Sequence, residues 1–108
     1  MKETFGEYIH KLRIDKGLTL TKLAAALDID QSTLSKMENS KRNVSEDILP
    51  KLSKIFDLDF RQLEKEFYSE KIAEILYKEE DTKGLLKLAE EKAKYFRTKK
   101  QGQGIIKF

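Results

Sequence analysis

Cysteine is absent from the 108 residues, and histidine and proline occur once each, as His10 and Pro50. Without cysteine there are no disulfides and no thiolate metal sites. One imidazole is poor material for a catalytic triad or for a His-based zinc centre within one chain. The carboxylates are scattered over helix surfaces, with no pair in an acid–base arrangement, so no enzymatic activity, metal or cofactor is expected. Long apolar runs are missing too. The longest is a handful of residues, too short for a helix to span a bilayer. The opening MKETFGEYIHKL lacks the apolar stretch of a signal peptide, which predicts a cytoplasmic protein without a membrane partner.

What is present is charge. Charged residues make up 38% and hydrophobic ones 39%, with the two signs mixed, which suits a helical folded domain rather than a disordered chain. The net charge is only +3. Residues 1–66 hold 12 Lys and Arg against 12 Asp and Glu, whereas residues 67–108 hold 10 against 7. From Lys94 to the end there are five basic residues and no acid. Such a basic arm suits nucleic acid or another anionic partner, the alternative being a solubilising tail.

Apolar spacing predicts five short helices followed by two longer ones. The first covers about residues 4–16, with Phe5, Tyr8, Ile9 and Leu12 on one face and Gly17 at its end. His10 falls off that stripe and reads as a solvated side chain. The second covers about 20–27, with Leu20, Leu23, Ala24 and Leu27 at helical spacing and Thr19 as N-cap. A tight turn at Asp28-Ile29 leads to Asp30, the N-cap of a third helix over about 31–38. A fourth covers about 46–56, with Ser45 as N-cap and Pro50 near the first turn, where its missing N–H costs least. A fifth covers about 60–66, then two more cover about 69–79 and 82–98, with a break at Glu79-Glu80-Asp81-Thr82. The stretch Gln101-Gly102-Gln103-Gly104 reads as flexible, and the chain finishes in an apolar tip, Ile105-Ile106-Lys107-Phe108.

The third helix is the informative one. Only Leu34 and Met37 are apolar; Gln31, Ser32, Thr33, Ser35 and Lys36 are small or polar. A helix this short with two anchors is held on one side and offers hydrogen-bonding groups on the other. With the second helix it gives Leu20-x-x-Leu23-Ala24-x-x-x-Asp28-Ile29-x-x-x-x-Leu34-x-x-Met37. Ala24 permits a close crossing, and Ile29, Leu34 and Met37 fill the angle. These are the requirements of a helix-turn-helix, whose second helix enters the major groove.

Residues 5–64 resemble the DNA-binding domain of the Cro/C1-repressor-like (XRE) family. The resemblance is carried by Leu12-Arg13, Lys16-Gly17-Leu18, Leu23-Ala24, Gln31-Ser32-Thr33-Leu34-Ser35-Lys36-Met37-Glu38-Asn39 and Phe56-Asp57-Leu58, in order and spacing. It implies an all-α fold: a five-helix, lambda-repressor-like DNA-binding domain over 1–66 and a C-terminal helical extension over 67–108. It implies base contacts from Gln31, Ser32 and Lys36, with Thr33 and Ser35 nearby. Chemistry agrees, since Gln pairs bidentately with adenine, Lys donates to guanine, and Ser serves either way. Backbone phosphates would meet Thr19 or Thr21 at the start of the second helix, and Asn39, Lys41, Arg42 and Asn43 in the loop after the third. Arg13 and Glu38 match positions that form a structural ion pair. Three positions depart from the pattern: Leu20 replaces a Gln that touches phosphate or buttresses the base-reading Gln, Asp28 replaces the turn Gly, and Ser40 replaces a Gly after Asn39.

One small reader sees few base pairs, whereas a dyad reads two half-sites about 34 Å apart. Residues 67–108 can supply it. Phe67, Ile72, Ile75, Leu76, Leu85, Leu88, Ala89 and Phe96 are many apolar groups for two helices to leave in water. They either pack on their own domain or pair with a second chain, and pairing is favoured here. The expected function is a homodimeric, sequence-specific transcriptional regulator, most simply a repressor acting on double-stranded DNA. A controller of a restriction–modification operon and an antitoxin fit the same residues. The alternative class is a module that binds another protein through its C-terminal helices.

Overall fold

The computed structural model of the chain describes residues 3–103, with side chains through residue 99. The tip Ile105–Phe108 lies outside the described residues. Among the described residues there are six α-helices, one short 3-10 turn and no strand. None of these helices is long and apolar enough to cross a membrane.

α1 spans Phe5–Asp15 and starts at a capping box. The Thr4 hydroxyl accepts from the Glu7 amide (3.0 Å), and the Glu7 carboxylate accepts from the Thr4 amide (2.8 Å), so two amides that a helix start leaves unpaired are satisfied. Gly17, at φ 73°, lets the chain turn away in the left-handed region. α2 spans Leu20–Leu27 and α3 spans Gln31–Glu38, the predicted bounds. Their N-caps are Thr19, accepting from the Lys22 amide (3.1 Å), and Asp30, accepting from the Thr33 amide (3.4 Å). Asp28 closes α2 in the left-handed conformation (φ 58°, ψ 43°), the turn that glycine makes most readily.

The predicted fourth helix is realised in two pieces, a 3-10 turn at Glu46–Ile48 and α4 at Leu49–Ile55. Pro50 stands in the first turn of α4, as expected. Ser45 precedes the 3-10 turn without capping it; its hydroxyl donates to the Asp47 carboxylate instead.

α5 runs unbroken from Phe60 to Leu76, where two helices were expected. No Pro or Gly interrupts the stretch. Ser69, which resembles a start signal, donates its hydroxyl to the Glu66 carbonyl (2.9 Å) and stays within the helix. Leu63 and Phe67, four residues apart, are both buried. Phe67 is 3% exposed and meets Phe5 edge-on at 5.6 Å. Phe67 therefore belongs to its own domain's core and leaves the expected dimer surface. A second tie joins these helices: the Phe5 amide donates to the Glu70 carboxylate (2.8 Å).

The core gathers Phe5 and Ile9 of α1, Leu23, Ala24 and Leu27 of α2, Leu34 and Met37 of α3, then Val44, Ile48, Leu49, Leu52, Leu63 and Phe67. Each large side chain removed from water contributes about 1.5–3 kcal/mol.

The chain divides into two compact units, Met1–Ile72 and Ala73–Phe108. The second holds the end of α5, a turn at the predicted break, and α6 at Thr82–Gln103. Asp81 begins α6 by accepting from the Gly84 amide (3.0 Å). α6 continues about five residues past its predicted end, through Gln101-Gly102-Gln103, which read as flexible from composition. Lys, Arg and Gln are good helix formers, and a single Gly costs only about 1 kcal/mol. Ile75, Leu86, Leu88 and Tyr95 of this unit are exposed.

Candidate nucleic-acid interface

α3 is anchored by Leu34 and Met37, which are fully buried. On the opposite side Gln31, Ser32 and Lys36 are exposed, with Thr33 and Ser35 half-buried beside them. The helix lies unusually close to α1. Gly6 faces the Met37 carbonyl, and a methyl group there would stand 1.9 Å from the oxygen.

The far end of α3 is fixed by charge. Glu38 is the one buried ionisable side chain among the described residues, 6% exposed. Arg13 grips its carboxylate with a fork: Nε to Oε2 at 2.8 Å and Nη2 to Oε1 at 3.0 Å. The guanidinium also donates from Nη1 to the Leu18 carbonyl (3.0 Å), so one side chain ties α1, the end of α3 and the turn before α2. This is the ion pair the resemblance implies.

His10 completes the arrangement, contrary to its reading as a solvated residue. Its Nδ1 lies 2.7 Å from Glu38 Oε1, while half of its side chain remains exposed. A carboxylate oxygen only accepts, so Nδ1 carries the hydrogen and donates. Arg13 Nη2, 3.3 Å from the same nitrogen, is then a neighbour rather than a second donor to it. Burial pushes the Glu38 carboxyl up, but the hydrogen bonds from Arg13 and His10 and their charges outweigh it. The net effect holds the carboxyl below its ordinary value of 4.5.

At the near end of α3 the Thr21 hydroxyl donates to Gln31 Oε1 (2.7 Å). This bond spans the turn and aims the Gln31 side-chain amide. The resemblance expects such a bond from a Gln at the position where Leu20 stands. Leu20 is half-buried and packs against the core.

The loop after α3 is also pinned. Asn39 Nδ2 donates to the Ser35 carbonyl (2.8 Å), and the Lys41 amide to the Lys36 carbonyl (2.8 Å). Ser40 takes the left-handed conformation (φ 59°), as the glycine it replaces would. The Ser40 and Thr4 hydroxyls share a hydrogen bond of 2.8 Å, joining the loop to the start of α1. Thr19, Thr21, Asn39, Lys41, Arg42 and Asn43 are all exposed. Thr19 uses its oxygen as a cap acceptor, which leaves its hydroxyl hydrogen free to donate.

The structure therefore brings together a polar helix face, an oriented glutamine at its start and a basic loop at its end. Among the described residues there is no cluster of groups able to hold a metal ion. The sequence model of the helix-turn-helix family matches residues 9–63, just over half of the chain and all of α2 and α3. No curated protein and no solved structure matches the chain.

Proposed function

Since the chain belongs to the Cro/C1-type helix-turn-helix family, a family of DNA-binding regulators, we propose that it is a sequence-specific repressor that binds a palindromic operator as a homodimer. The observation that carries this reading is the exposed face of α3 over two buried anchors, with Gln31 oriented by Thr21. In this reading Gln31 pairs with adenine, Lys36 donates to guanine, and Ser32, Thr33 and Ser35 complete the contacts to base edges. Thr19, Thr21, Asn39, Lys41, Arg42 and Asn43 meet phosphates on either side. The protein acts in the cytoplasm and needs no cofactor.

The partner surface is formed by Ile72, Ile75, Leu76, Leu85, Leu88, Ala89 and Phe96. Ile72, Ile75 and Leu88 are about half exposed or more (49%, 60% and 56%), which supports burial against a second chain. A two-fold pair presents the same patch from each copy. The same exposure supports a second reading, in which these helices dock another protein, as an antitoxin would dock its toxin. A controller of a restriction–modification operon uses the first arrangement unchanged.

Selection of bound sites from random duplexes tests the reading. The expected product is a palindrome with half-site centres about 10 base pairs apart. Gln31→Ala relaxes preference at one position per half-site, whereas Arg42→Ala weakens all sequences alike. No binding to any duplex at low salt would sink the proposal.

A further inference from the structure

The part of the chain that carries α3 is electrically neutral, with 12 basic and 12 acidic residues over 1–66. A DNA duplex carries one phosphate per about 1.7 Å of axis, and affinity for it grows with each counterion released by Lys or Arg. The α3 face and the loop after it offer only Lys36, Lys41 and Arg42. Most of the uncompensated charge lies elsewhere.

Glu91 is the last acid of α6. From Lys92 to Gln103 the helix carries Lys92, Lys94, Arg97, Lys99 and Lys100 without a carboxylate. Lys92, Lys94 and Arg97 are exposed and Lys99 is half-buried. Among the described residues none of these four has an ion-pair partner. Complementing the helix dipole accounts only for the last turn, and Lys92 and Lys94 lie about three and two and a half turns before Gln103. Nor do the charges form one solvent-facing stripe. At about 100° per residue, Lys94 and Arg97 share one side while Lys92 and Lys99 share another. This is a collar of positive charge around the helix.

We propose that the second half of α6 is a second, sequence-independent binding surface for the phosphate backbone of duplex DNA, formed by Lys92, Lys94, Arg97 and Lys99. It rests on the DNA-binding reading above. In this arrangement α3 discriminates between bases while α6 supplies much of the salt-sensitive attraction.

The test compares the full chain with a variant carrying Lys92→Gln, Lys94→Gln, Arg97→Gln and Lys99→Gln. Glutamine keeps helix propensity, and circular dichroism checks the fold. Fluorescence anisotropy on a selected duplex and on a random one, over 50–200 mM salt, gives the slope of log affinity against log salt. Each lost phosphate contact lowers the slope by about 0.9. The expected result is a slope smaller by about two to three and a half per bound chain, about twice that for a bound dimer, and an affinity at least tenfold weaker at the low-salt end, with the ratio of selected to random binding preserved. Lys83→Gln with Lys87→Gln, in the first half of the same helix, where Glu90 and Glu91 balance them, leaves the slope as it was. An unchanged slope in the fourfold variant overturns the proposal. So does a reduced slope accompanied, in sedimentation, by dissociation of a dimer that the unaltered chain forms, which would assign the collar to pairing between copies. If the unaltered chain binds no duplex at all, the function itself fails, a result distinguishable from both.

Discussion

Replacing Gly6 with Ala probes the contact that sets the tilt of α3. The added methyl would stand 1.9 Å from the Met37 oxygen and 2.9 Å from its carbonyl carbon, where real contacts essentially never fall below 3.0 Å. The obstacle is backbone, so no side chain can rotate away. α1 must move off α3 by about an ångström, and the strain reaches Ser40, whose amide donates to that same oxygen (3.1 Å). Overpacking of this kind costs about 1–3 kcal/mol, and the upper end applies where backbone meets backbone. Alanine returns at most about 1 kcal/mol through helix propensity, so the net loss is about 2 kcal/mol. For a domain of this size that is a fall in Tm of about 8–16 °C. Gly17→Ala is the informative comparison. Nothing lies within 4 Å of a methyl there, but φ is 73°, so its cost of about 1–2 kcal/mol is conformational and local. Thermal melts of both variants, with anisotropy below the transition, separate the effects: Gly6→Ala weakens DNA binding while still folded, Gly17→Ala does not. A Gly6→Ala protein that melts at or above the parent would refute the close approach of α1 to α3.

Three further outcomes follow from named contacts. Glu38→Gln strands the Arg13 guanidinium and costs about 3–5 kcal/mol at neutral pH. Because the folded Glu38 carboxyl is held below 4.5, its stabilisation is complete above that value and is lost as pH falls through the lowered one. In urea titrations the difference between parent and variant therefore narrows as the pH falls below 4.5, and a constant difference would contradict the network. Asp28→Gly relieves a left-handed aspartate at φ 58° and raises stability by up to about 1 kcal/mol; a lower melting temperature would mean that the carboxylate does something the turn depends on. Thr21→Val removes the bond to Gln31 while keeping the shape, so, under the proposed contact of Gln31 with a base, discrimination at that position falls about fivefold, the equivalent of one neutral hydrogen bond of about 1 kcal/mol. Thr21→Ser restores it, and equal discrimination by the Val and Ser proteins would remove Thr21 from its supporting role.

Much of the reading unit was legible because its signals are local. The bounds of α2 and α3 follow from caps at Thr19 and Asp30 and from apolar spacing that each helix satisfies by itself. The turn at Asp28 was legible from its place between two helices, and its left-handed backbone from the resemblance, in which a Gly stands there. The Thr4-x-x-Glu7 capping box was there to be read as well, since both partners lie within one turn. The continuity of α5 was less accessible. Phe67-Tyr68-Ser69 resembles a boundary, and the reasons for the helix to continue there arrive from Phe5, more than sixty residues earlier, through its ring against Phe67 and its amide on Glu70.

His10, Glu70 and Thr21 share a deeper reason for having been missed. An apolar side chain needs only a face to bury itself in, so its role survives in periodicity alone. A polar side chain needs a particular atom, and in these cases that atom arrives by tertiary folding: Glu38 for His10, the Phe5 amide for Glu70, and Gln31 across the turn for Thr21. His10 lies off the apolar stripe of α1 because it packs against a carboxylate rather than the core. Leaving the stripe is equally what a solvated residue does, so no spacing rule separates the two. The resemblance found the Arg13–Glu38 pair because it carries three-dimensional information; it assigned nothing to His10, and to Thr21 only a phosphate contact, not the bond to Gln31. Those two contacts lie at opposite ends of α3, His10 beside the Arg13 fork on Glu38 and Thr21 on Gln31, so polar bonds between helices add to the hold that Leu34 and Met37 give the helix from the core.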